Sequence, residues 1–325
     1  GILELREAIV EKESQKGLSI SVEDVLVTNG ISEGLDMVAA PIVEPNTEIL
    51  MPGPYYPPYA SYVKFYGGKP IEFRLTDDGT PDLDDIKSKI TPKSRALCVI
   101  NPNNPTGEVF NGKSLKQLID IAAENDMYIV CDEIYDKLVF DKEFTGIGKV
   151  AKDAAVILLN GFSKVYLMTG WRCGYICMNS NCQQLENIRN NIPKLARVRI
   201  ATNLPVQKAA VAALKGPQAY IAEIVTKLKN RRDLVVKRLN EIDGISCKLP
   251  NGAFYTFPEI SLTHWKNDKD FVLDLLNKTG ILTVHGSGFG ELGKGHFRIV
   301  YLPTEQVLEE AMDKLSDFIN SKNNN

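Results

Sequence analysis

Histidine and cysteine are scarce in this chain of 325 residues. There are three histidines, at positions 264, 285 and 296, and six cysteines, none of them spaced as CxxC. Structural zinc sites are built from closely spaced cysteines and histidines, so no metal site is expected. Most of the cysteines lie in apolar, strand-like segments, which predicts reduced and buried thiols in a cytoplasmic protein.

Charge of one sign and long apolar runs are also missing. The formal net charge is -3, which gives no electrostatic reason to expect a nucleic acid or an acidic membrane as a partner. No apolar run approaches the roughly 20 residues of a membrane-spanning helix, and the first six residues do not resemble a signal peptide. The hydrophobic share of 44% and the charged share of 24% are typical of a globular protein.

Short apolar segments alternate with amphipathic ones along most of the chain. Residues 25–27, 96–100, 128–131, 156–159 and 174–178 have the composition of buried strands, and helical patterns lie between several of them. Such alternation predicts βαβ units and a mainly parallel sheet, and therefore an α/β fold.

The pattern changes after a long, charged helical stretch at about residues 217–240. Strand-like and helical segments then follow one another without the earlier alternation, which predicts a separate α+β unit. We expect an N-terminal piece over 1–15, a large domain over 16–225 and a smaller domain over 226–325. In the smaller domain we expect strands at 252–257 and 296–301, helices at 268–278 and 304–321, and a frayed tail at 321–325.

Three polar residues follow candidate strands directly. Asn104 lies in the NPNNPTG loop of residues 101–107, Asp132 in the CDEIY segment, and Lys164 in the GFSK turn. In open parallel sheets, ligands collect beyond the carboxyl ends of the strands. The placement of all three residues at such ends predicts a ligand site at one edge of the sheet.

Lys164 is the candidate for covalent amine chemistry. A lone lysine is usually a solvated surface charge, but this one lies at a strand exit with glycines on both sides. Partial burial would lower its pKa, and the amine could then condense with an aldehyde and move protons at an adjacent carbon. The hypothesis depends on placement rather than on residue type.

Asp132 ends an apolar strand, where an unpaired carboxylate is costly to bury. It could simply cap the turn that follows, or it could keep a pyridinium nitrogen protonated so that the ring accepts electrons. Tyr135 lies three residues further on and would share a face with Asp132 if this turn were helical. Its phenol could then donate a hydrogen bond to an oxygen on the same ring.

Two proline-rich loops carry further candidates. The loop around Asn104 is either a plain strand-to-helix connection or a rigid mount for an amide that binds a phenolate and a substrate carboxylate. Tyr56 stands beside Tyr55 and Tyr59 among four prolines. These rings are either aromatic filler in a packed loop or a surface that stacks on a flat cofactor.

Two sets of residues are candidates for anion binding. Gly30, Ile31 and Ser32 follow a strand-like segment and open a helical pattern, so they either cap a helix or cradle a phosphate. Arg172 would supply the countercharge to that phosphate. Arg298 lies on a candidate strand of the second domain, where it either forms a surface ion pair or binds a substrate α-carboxylate.

Taken in order, these motifs resemble those of the class I aminotransferases, which are pyridoxal phosphate (PLP) enzymes of fold type I. The NPNNPTG, DEIY, SK and GWRCGY motifs occur at family-like spacing, and the likeness runs from residues 3–6 to the C-terminal helix. Segments 52–59, 161–166 and 284–291 are most similar to the prokaryotic alanine aminotransferase branch. The resemblance implies a three-layer α/β/α large domain that binds PLP and a smaller α+β C-terminal domain.

The resemblance also implies a role for each candidate. Lys164 would bond to the PLP aldehyde carbon and Asp132 would pair with the pyridine nitrogen, with Tyr135 as the third catalytic residue. The expected cofactor-binding residues are Gly30, Ile31, Ser32, Tyr56, Asn104, Asp132, Tyr135, Lys164 and Arg172. Among them, Gly30, Ile31, Ser32 and Arg172 would hold the phosphate, and Tyr56 would stack on the ring. Asn104 and Arg298 would bind the substrate.

The implied activity is transfer of an amino group from L-alanine to a 2-oxo acid, 2-oxoglutarate, by a ping-pong mechanism in a homodimer. An aspartate or broad-specificity aminotransferase and a PLP-dependent C–S lyase remain as alternatives. Some aspartate-specific relatives carry a lysine where Ser32 stands, so no partner for a distal carboxylate is evident. A nicotinamide dehydrogenase is disfavoured because no GxGxxG follows the first strand. The family also has an N-terminal segment that covers the substrate, and this chain is expected to begin just after it.

Overall fold

The structure is a computed structural model, and it describes residues 1–323. Seven strands form its central sheet: β1 Val25–Thr28, β2 Glu48–Pro52, β3 Lys69–Phe73, β4 Ser94–Ile100, β5 Tyr128–Asp132, β6 Val156–Gly161 and β7 Gly174–Met178. Their order across the sheet is β1-β7-β6-β5-β4-β2-β3. The five strands predicted before residue 180 therefore all belong to one sheet, and those that lead to Asn104, Asp132 and Lys164 are neighbours.

The sheet is mainly parallel, as predicted. Strand β2 pairs in parallel with β3 and β4, β4 with β5, and β5 with β6. Strand β7 runs antiparallel to both of its neighbours, β6 and β1. An apolar run carries no information about strand direction, so the sequence does not predict this reversal.

Helices cover both faces of the sheet. The first face carries α1 Leu3–Gln15, α4 Leu83–Lys89, α5 Gly112–Glu124, α6 Gly148–Ala151 and α8 Leu204–Lys215, and the second carries α2 Ile31–Ile42, α3 Pro57–Phe65 and α7 Glu186–Val198. Helix α9 Ala219–Asn240 packs instead against elements of the C-terminal part of the chain. Side chains of β4 alternate between the two cores, because successive residues of a strand point to opposite faces. The three-layer α/β/α architecture is therefore confirmed. Within residues 1–323, no helix is long and apolar enough to cross a membrane.

The C-terminal part contains two small antiparallel sheets and two helices. Strands β8 Ile245–Ser246 and β10 Glu259–Ile260 pair with each other, and β9 Tyr255–Thr256, β12 Phe297–Val300 and β11 Val284–His285 form the other sheet, packed with α10 Asp268–Thr279 and α11 Glu305–Asn323. The smaller α+β unit is thus present, although the strand predicted at 252–257 pairs only over two residues. The domain limits at 15/16 and 225/226 stay predictions, and α9 crosses the second limit as one unbroken helix.

The predicted frayed tail at 321–325 is wrong for its first three residues. Helix α11 continues to Asn323, because its apolar residues pack into the C-terminal core from Leu308 as far as Ile319. The last two residues of the predicted tail lie outside the described residues.

A buried group of charged side chains joins α1 to the turn after β5. The Lys16 ammonium lies 2.6 Å from both Glu13 and Glu133 and 3.1 Å from Asp136, all of them carboxylates that are almost completely buried. Lys12 also contacts Asp136, at 3.0 Å. Buried charges are tolerated only when they are paired in this way, so the group holds α1 in register with the residues that follow Asp132.

Candidate active site

The carboxyl edge of strands β4, β5 and β6 opens into a cavity of about 310 Å³. A volume of this size lies in the range of small-ligand pockets. Every residue predicted for the site lines the cavity except Gly30: Ile31, Ser32, Tyr56, Asn104, Asp132, Tyr135, Lys164, Arg172 and Arg298. Gly30 lies beside them as the residue before the first turn of α2. The structure therefore brings the whole predicted set together.

Lys164 occupies the turn that follows β6. The turn closes when the Leu167 N–H donates to the Lys164 carbonyl oxygen at 3.2 Å. The lysine Nζ lies 5.9 Å from the centre of the Tyr135 ring and 5.4 Å from that of Phe254. Burial lowers the Lys164 pKa, the nearby Arg298 and Arg172 lower it further, and Asp132 opposes them. A lowered pKa increases the neutral amine fraction, which is the nucleophilic form.

Asp132 is the last residue of β5, and both of its carboxylate oxygens accept hydrogen bonds. Oδ1 accepts from the Ile134 backbone N–H at 2.9 Å, and Oδ2 accepts from the Tyr59 hydroxyl at 3.0 Å. Burial raises the Asp132 pKa to about 6, although these two hydrogen bonds act in the opposite direction. The carboxylate therefore caps the turn and also borders the cavity, and its pairing with a pyridinium nitrogen stays a prediction.

Tyr59 is a contributor that the sequence does not single out. It belongs to helix α3, and its buried hydroxyl reaches Asp132 from across the sheet core. The tyrosine- and proline-rich segment predicts an aromatic surface, and the family resemblance selects Tyr56, which does line the cavity. Only the docking of α3 against the sheet decides which ring faces the carboxylate, so no local pattern could have found Tyr59.

Tyr135 follows Asp132 in a turn that is not helical. Its phenolic oxygen lies 2.9 Å from that of Tyr255, a residue of β9 that no sequence motif singles out. Burial raises the pKa of both phenols. Both hydroxyls stay protonated at neutral pH. Because one of them donates to the other, the second keeps a hydrogen that it can donate to an oxygen in the cavity.

Gly30, Ile31 and Ser32 meet Arg172 at the start of α2. Gly30 has φ +78°, and a β-carbon at this position would collide with the Arg172 guanidinium. Arg172 also donates to the Thr169 carbonyl oxygen at 3.0 Å. A helix start and a guanidinium in one place form an anion site, because the helix N–H groups and the cation both favour negative charge.

Arg298 enters the cavity from β12, in the C-terminal part of the chain. Its Nη1 donates to the Asn104 side-chain oxygen at 3.0 Å. The guanidinium lies between two rings, 4.5 Å from the centre of Tyr255 and 4.9 Å from that of Phe289. Its Nε is buried and has no hydrogen-bond partner among the described residues. A buried donor without a partner is a place where a carboxylate could bind.

The side chains fit the cofactor that the resemblance implies. The phosphate can bind at the anion site formed by Gly30 and Arg172. The buried carboxylate of Asp132 can pair with the pyridinium nitrogen, and the amine of Lys164 can bond to the aldehyde. Because Asn104 accepts from Arg298 through its carbonyl oxygen, its amide nitrogen is left to donate to a ring oxygen. The donor set thus matches PLP at each of its reactive positions.

Comparison with known proteins gives the same result over the whole chain. The model of the family "Aminotransferase class I and II" matches residues 1–315. The glutamate-pyruvate aminotransferase AlaA of Haemophilus influenzae is 37% identical, over 98% of this chain and 81% of its own length.

Solved structures of this family superpose closely on the chain. An alanine aminotransferase from Pyrococcus furiosus has a TM-score of 0.96 and 49% identity, covering 99% of this chain and 82% of its own. A double mutant of the Thermus thermophilus aspartate aminotransferase has a TM-score of 0.90 and 31% identity, covering 98% and 82%. This chain therefore belongs to the class I and II aminotransferases, which are PLP-dependent enzymes.

Proposed function

We propose that this aminotransferase moves the amino group of L-alanine to 2-oxoglutarate by a ping-pong mechanism. The observation that carries the proposal is the meeting of Lys164, Asp132 and Arg298 in one cavity, where an amine, a carboxylate and a carboxylate-binding guanidinium face one another. The choice of alanine is supported by the alanine aminotransferase of Pyrococcus furiosus and by the glutamate-pyruvate aminotransferase of Haemophilus influenzae, whose name gives the two products of the proposed reaction.

The cofactor would be held through its phosphate, its ring and its aldehyde. Bound PLP supplies an aldehyde carbon for the amino group and a ring that accepts electrons. We assign the phosphate to Gly30, Ile31, Ser32 and Arg172, the ring face to Tyr56, and the ring oxygen to Asn104 and Tyr135. Asp132 keeps a proton at the pyridine nitrogen, since a buried carboxylate beside that nitrogen stabilises its positive charge.

Lys164 acts as both anchor and acid–base group in this proposal. Its amine would hold the cofactor through the aldehyde carbon between turnovers. When free, the same amine would be the base that takes the proton from the substrate α-carbon and the acid that returns it. The lowered pKa of Lys164 supports this role, because a base must be unprotonated when it accepts the proton.

Arg298 would bind the α-carboxylate that both substrates share. The basic side chains that line the cavity are Lys164, Arg172 and Arg298, and each already has a role. No basic side chain lining this part of the described structure remains for the distal carboxylate of aspartate. The same argument leaves the distal carboxylate of 2-oxoglutarate unassigned, so this acceptor is proposed on the relatives alone.

We also propose that the enzyme is a homodimer with its sites near the interface. Leu167 and Trp171, in the segment between Lys164 and Arg172, have exposed fractions of 65% and 53%. Large apolar side chains beside a site are typical of a covered surface. Light scattering during size-exclusion chromatography tests the dimer.

The cytoplasmic location stays a prediction, and it is supported by six free, buried cysteines.

An amino-donor panel tests the proposed reaction. The holoenzyme is mixed with single amino acids, and the visible absorbance of the cofactor is followed through one half-reaction. We expect alanine to bleach the band and 2-oxoglutarate to restore it. Equal rates with alanine and aspartate would replace the alanine assignment by a broad specificity, and release of ammonia or a thiol would indicate a lyase.

A further inference from the structure

The two rings that enclose the Arg298 guanidinium are each tied to the large sheet. The Tyr255 hydroxyl is paired with that of Tyr135, in the turn after β5. Phe289 belongs to the segment of residues 286–293, which we call the glycine-rich segment. Its carbonyl oxygen accepts from the Tyr55 backbone N–H at 2.9 Å. The position of Phe289 therefore depends on how the glycine-rich segment is attached to the rest of the molecule.

Glu72 provides a second attachment of the glycine-rich segment. This residue lies on β3, the edge strand of the seven-stranded sheet. Its Oε1 accepts from the Glu291 backbone N–H at 2.8 Å, and its Oε2 accepts from the Leu292 backbone N–H at 3.0 Å. Hydrogen bonds to an ionised carboxylate are stronger than those between neutral groups. One side chain of the large sheet thus holds two consecutive backbone amides beside Phe289.

The backbone at Gly53 and at Gly290 lies close to the Glu72 carboxylate, so that neither position has space for a side chain. A β-carbon on Gly290 would lie 2.6 Å from Glu72 Oε1, and a β-carbon on Gly53 would lie 2.7 Å from Glu72 Oε2. Gly290 also has φ +109°, a conformation that residues with a side chain rarely adopt. Two glycines therefore allow the carboxylate to approach the glycine-rich segment from the edge of the sheet.

We propose that Glu72 is a positioning residue for substrate-carboxylate binding. It holds the glycine-rich segment against the sheet, Phe289 then closes one face of the Arg298 guanidinium, and the guanidinium is kept in the orientation that receives the α-carboxylate. A cation between two aromatic faces is stabilised by both rings and has few alternative positions. The inference rests on the proposed function of Arg298 as the α-carboxylate ligand.

The test compares Glu72→Gln with Glu291→Gln. Glutamine at position 72 keeps the size of the side chain, but it lacks the charge and has only one oxygen for the two N–H groups. Glu291→Gln removes one negative charge from the glycine-rich segment, where the Glu291 side chain forms an ion pair with the exposed Lys294. For both variants the KM for alanine and for 2-oxoglutarate, kcat, the Tm and the Kd of propionate are measured on the holoenzyme.

For Glu72→Gln we expect both KM values and the propionate Kd to rise by a common factor of about three to ten, because all three ligands share the carboxylate that Arg298 binds. We expect kcat to stay within about twofold and Glu291→Gln to match the parent, as surface substitutions usually do. Unchanged KM and Kd values for Glu72→Gln, or a change in Tm or kcat alone, would overturn the positioning role.

Arg298→Lys separates this failure from a failure of the proposed function. Lysine keeps the charge but cannot bind a carboxylate with two parallel hydrogen bonds, so both KM values should rise by more than in Glu72→Gln. If they rise for Arg298→Lys alone, Glu72 has no positioning role and the function of Arg298 stands. If Arg298→Lys leaves them unchanged, the assignment of Arg298 is wrong and the role of Glu72 is overturned with it.

Discussion

Replacing Asp132 by asparagine should stabilise the apoenzyme at neutral pH and disable the holoenzyme. Asparagine has the same shape, and its side-chain oxygen can still accept from the Ile134 N–H. The amide nitrogen can donate to the Tyr59 hydroxyl, since a hydroxyl both donates and accepts. The substitution therefore removes the negative charge while it preserves the hydrogen-bonded positions.

The size of the stabilisation follows from the pKa of Asp132. This pKa is about 6 in the folded chain and 3.8 for an ordinary aspartate, a difference worth about 3 kcal/mol at about 1.36 kcal/mol per unit. Because the folded-state pKa is the higher one, the folded chain binds a proton more tightly than the unfolded chain. The parent thus loses up to about 3 kcal/mol of unfolding free energy as pH rises from about 4 to above 6.

Urea unfolding of the two apoenzymes measures this difference at several pH values and at one protein concentration. We expect the unfolding free energy of the variant to rise relative to that of the parent as pH rises. This difference should level off above pH 6 at about 3 kcal/mol. A difference that is independent of pH, or that favours the parent at pH 8, would refute the argument. In the holoenzyme the variant should lose about 10²–10³ in kcat, because an amide cannot stabilise the pyridinium charge.

Three further changes test the cofactor site and the fold. Lys164→Ala should lower kcat by at least about 10²–10⁴, measured by steady-state turnover, because it removes the proton-transferring amine. Gly30→Ala should weaken PLP binding about tenfold or more in a fluorescence titration of the apoenzyme, since the added β-carbon would collide with the Arg172 guanidinium. Gly170→Ala serves as the control, because a β-carbon at position 170 would have no atom within 4 Å. Lys16→Met should lower the unfolding free energy by about 3–5 kcal/mol, because it leaves buried carboxylates unpaired. Lys116→Met removes an exposed ion pair and should lower the unfolding free energy by less than about 1 kcal/mol.

The outcomes that would contradict these three predictions are distinct. Full turnover by the alanine variant at position 164 would mean that another group moves the proton. Unchanged PLP affinity in the position 30 variant would place the phosphate elsewhere. Equal losses of unfolding free energy for the two lysine variants would mean that the buried ion pairs between α1 and the turn after β5 stabilise the fold no more than an exposed pair does.

The convergence of Asn104, Asp132 and Lys164 could be predicted from the sequence. Each follows an apolar strand, and parallel strands present their carboxyl ends at one edge, so local pattern and strand order are enough. Arg298 is on a strand far along the chain, and only the resemblance to a family assigned it to the same place. Its contact with Asn104 confirms that placement.

Other contributors depend on long-range packing and could not be predicted in this way. Tyr59 reaches Asp132 only because α3 docks against the sheet, and Tyr255 reaches Tyr135 only because β9 lies beside the turn after β5. Glu72 looks like an ordinary charged residue of an edge strand until the glycine-rich segment lies against it. The reversal of β7 has the same origin, since pairing partners rather than composition decide the direction of a strand.

The most direct test of the account follows the nitrogen atom itself. The holoenzyme is incubated with ¹⁵N-labelled L-alanine and unlabelled 2-oxoglutarate, and the products are analysed by mass spectrometry. Direct transfer through the cavity of Lys164 and Asp132 predicts glutamate that carries the label, together with one equivalent of pyruvate. Label in free ammonia, with no labelled glutamate, would contradict it.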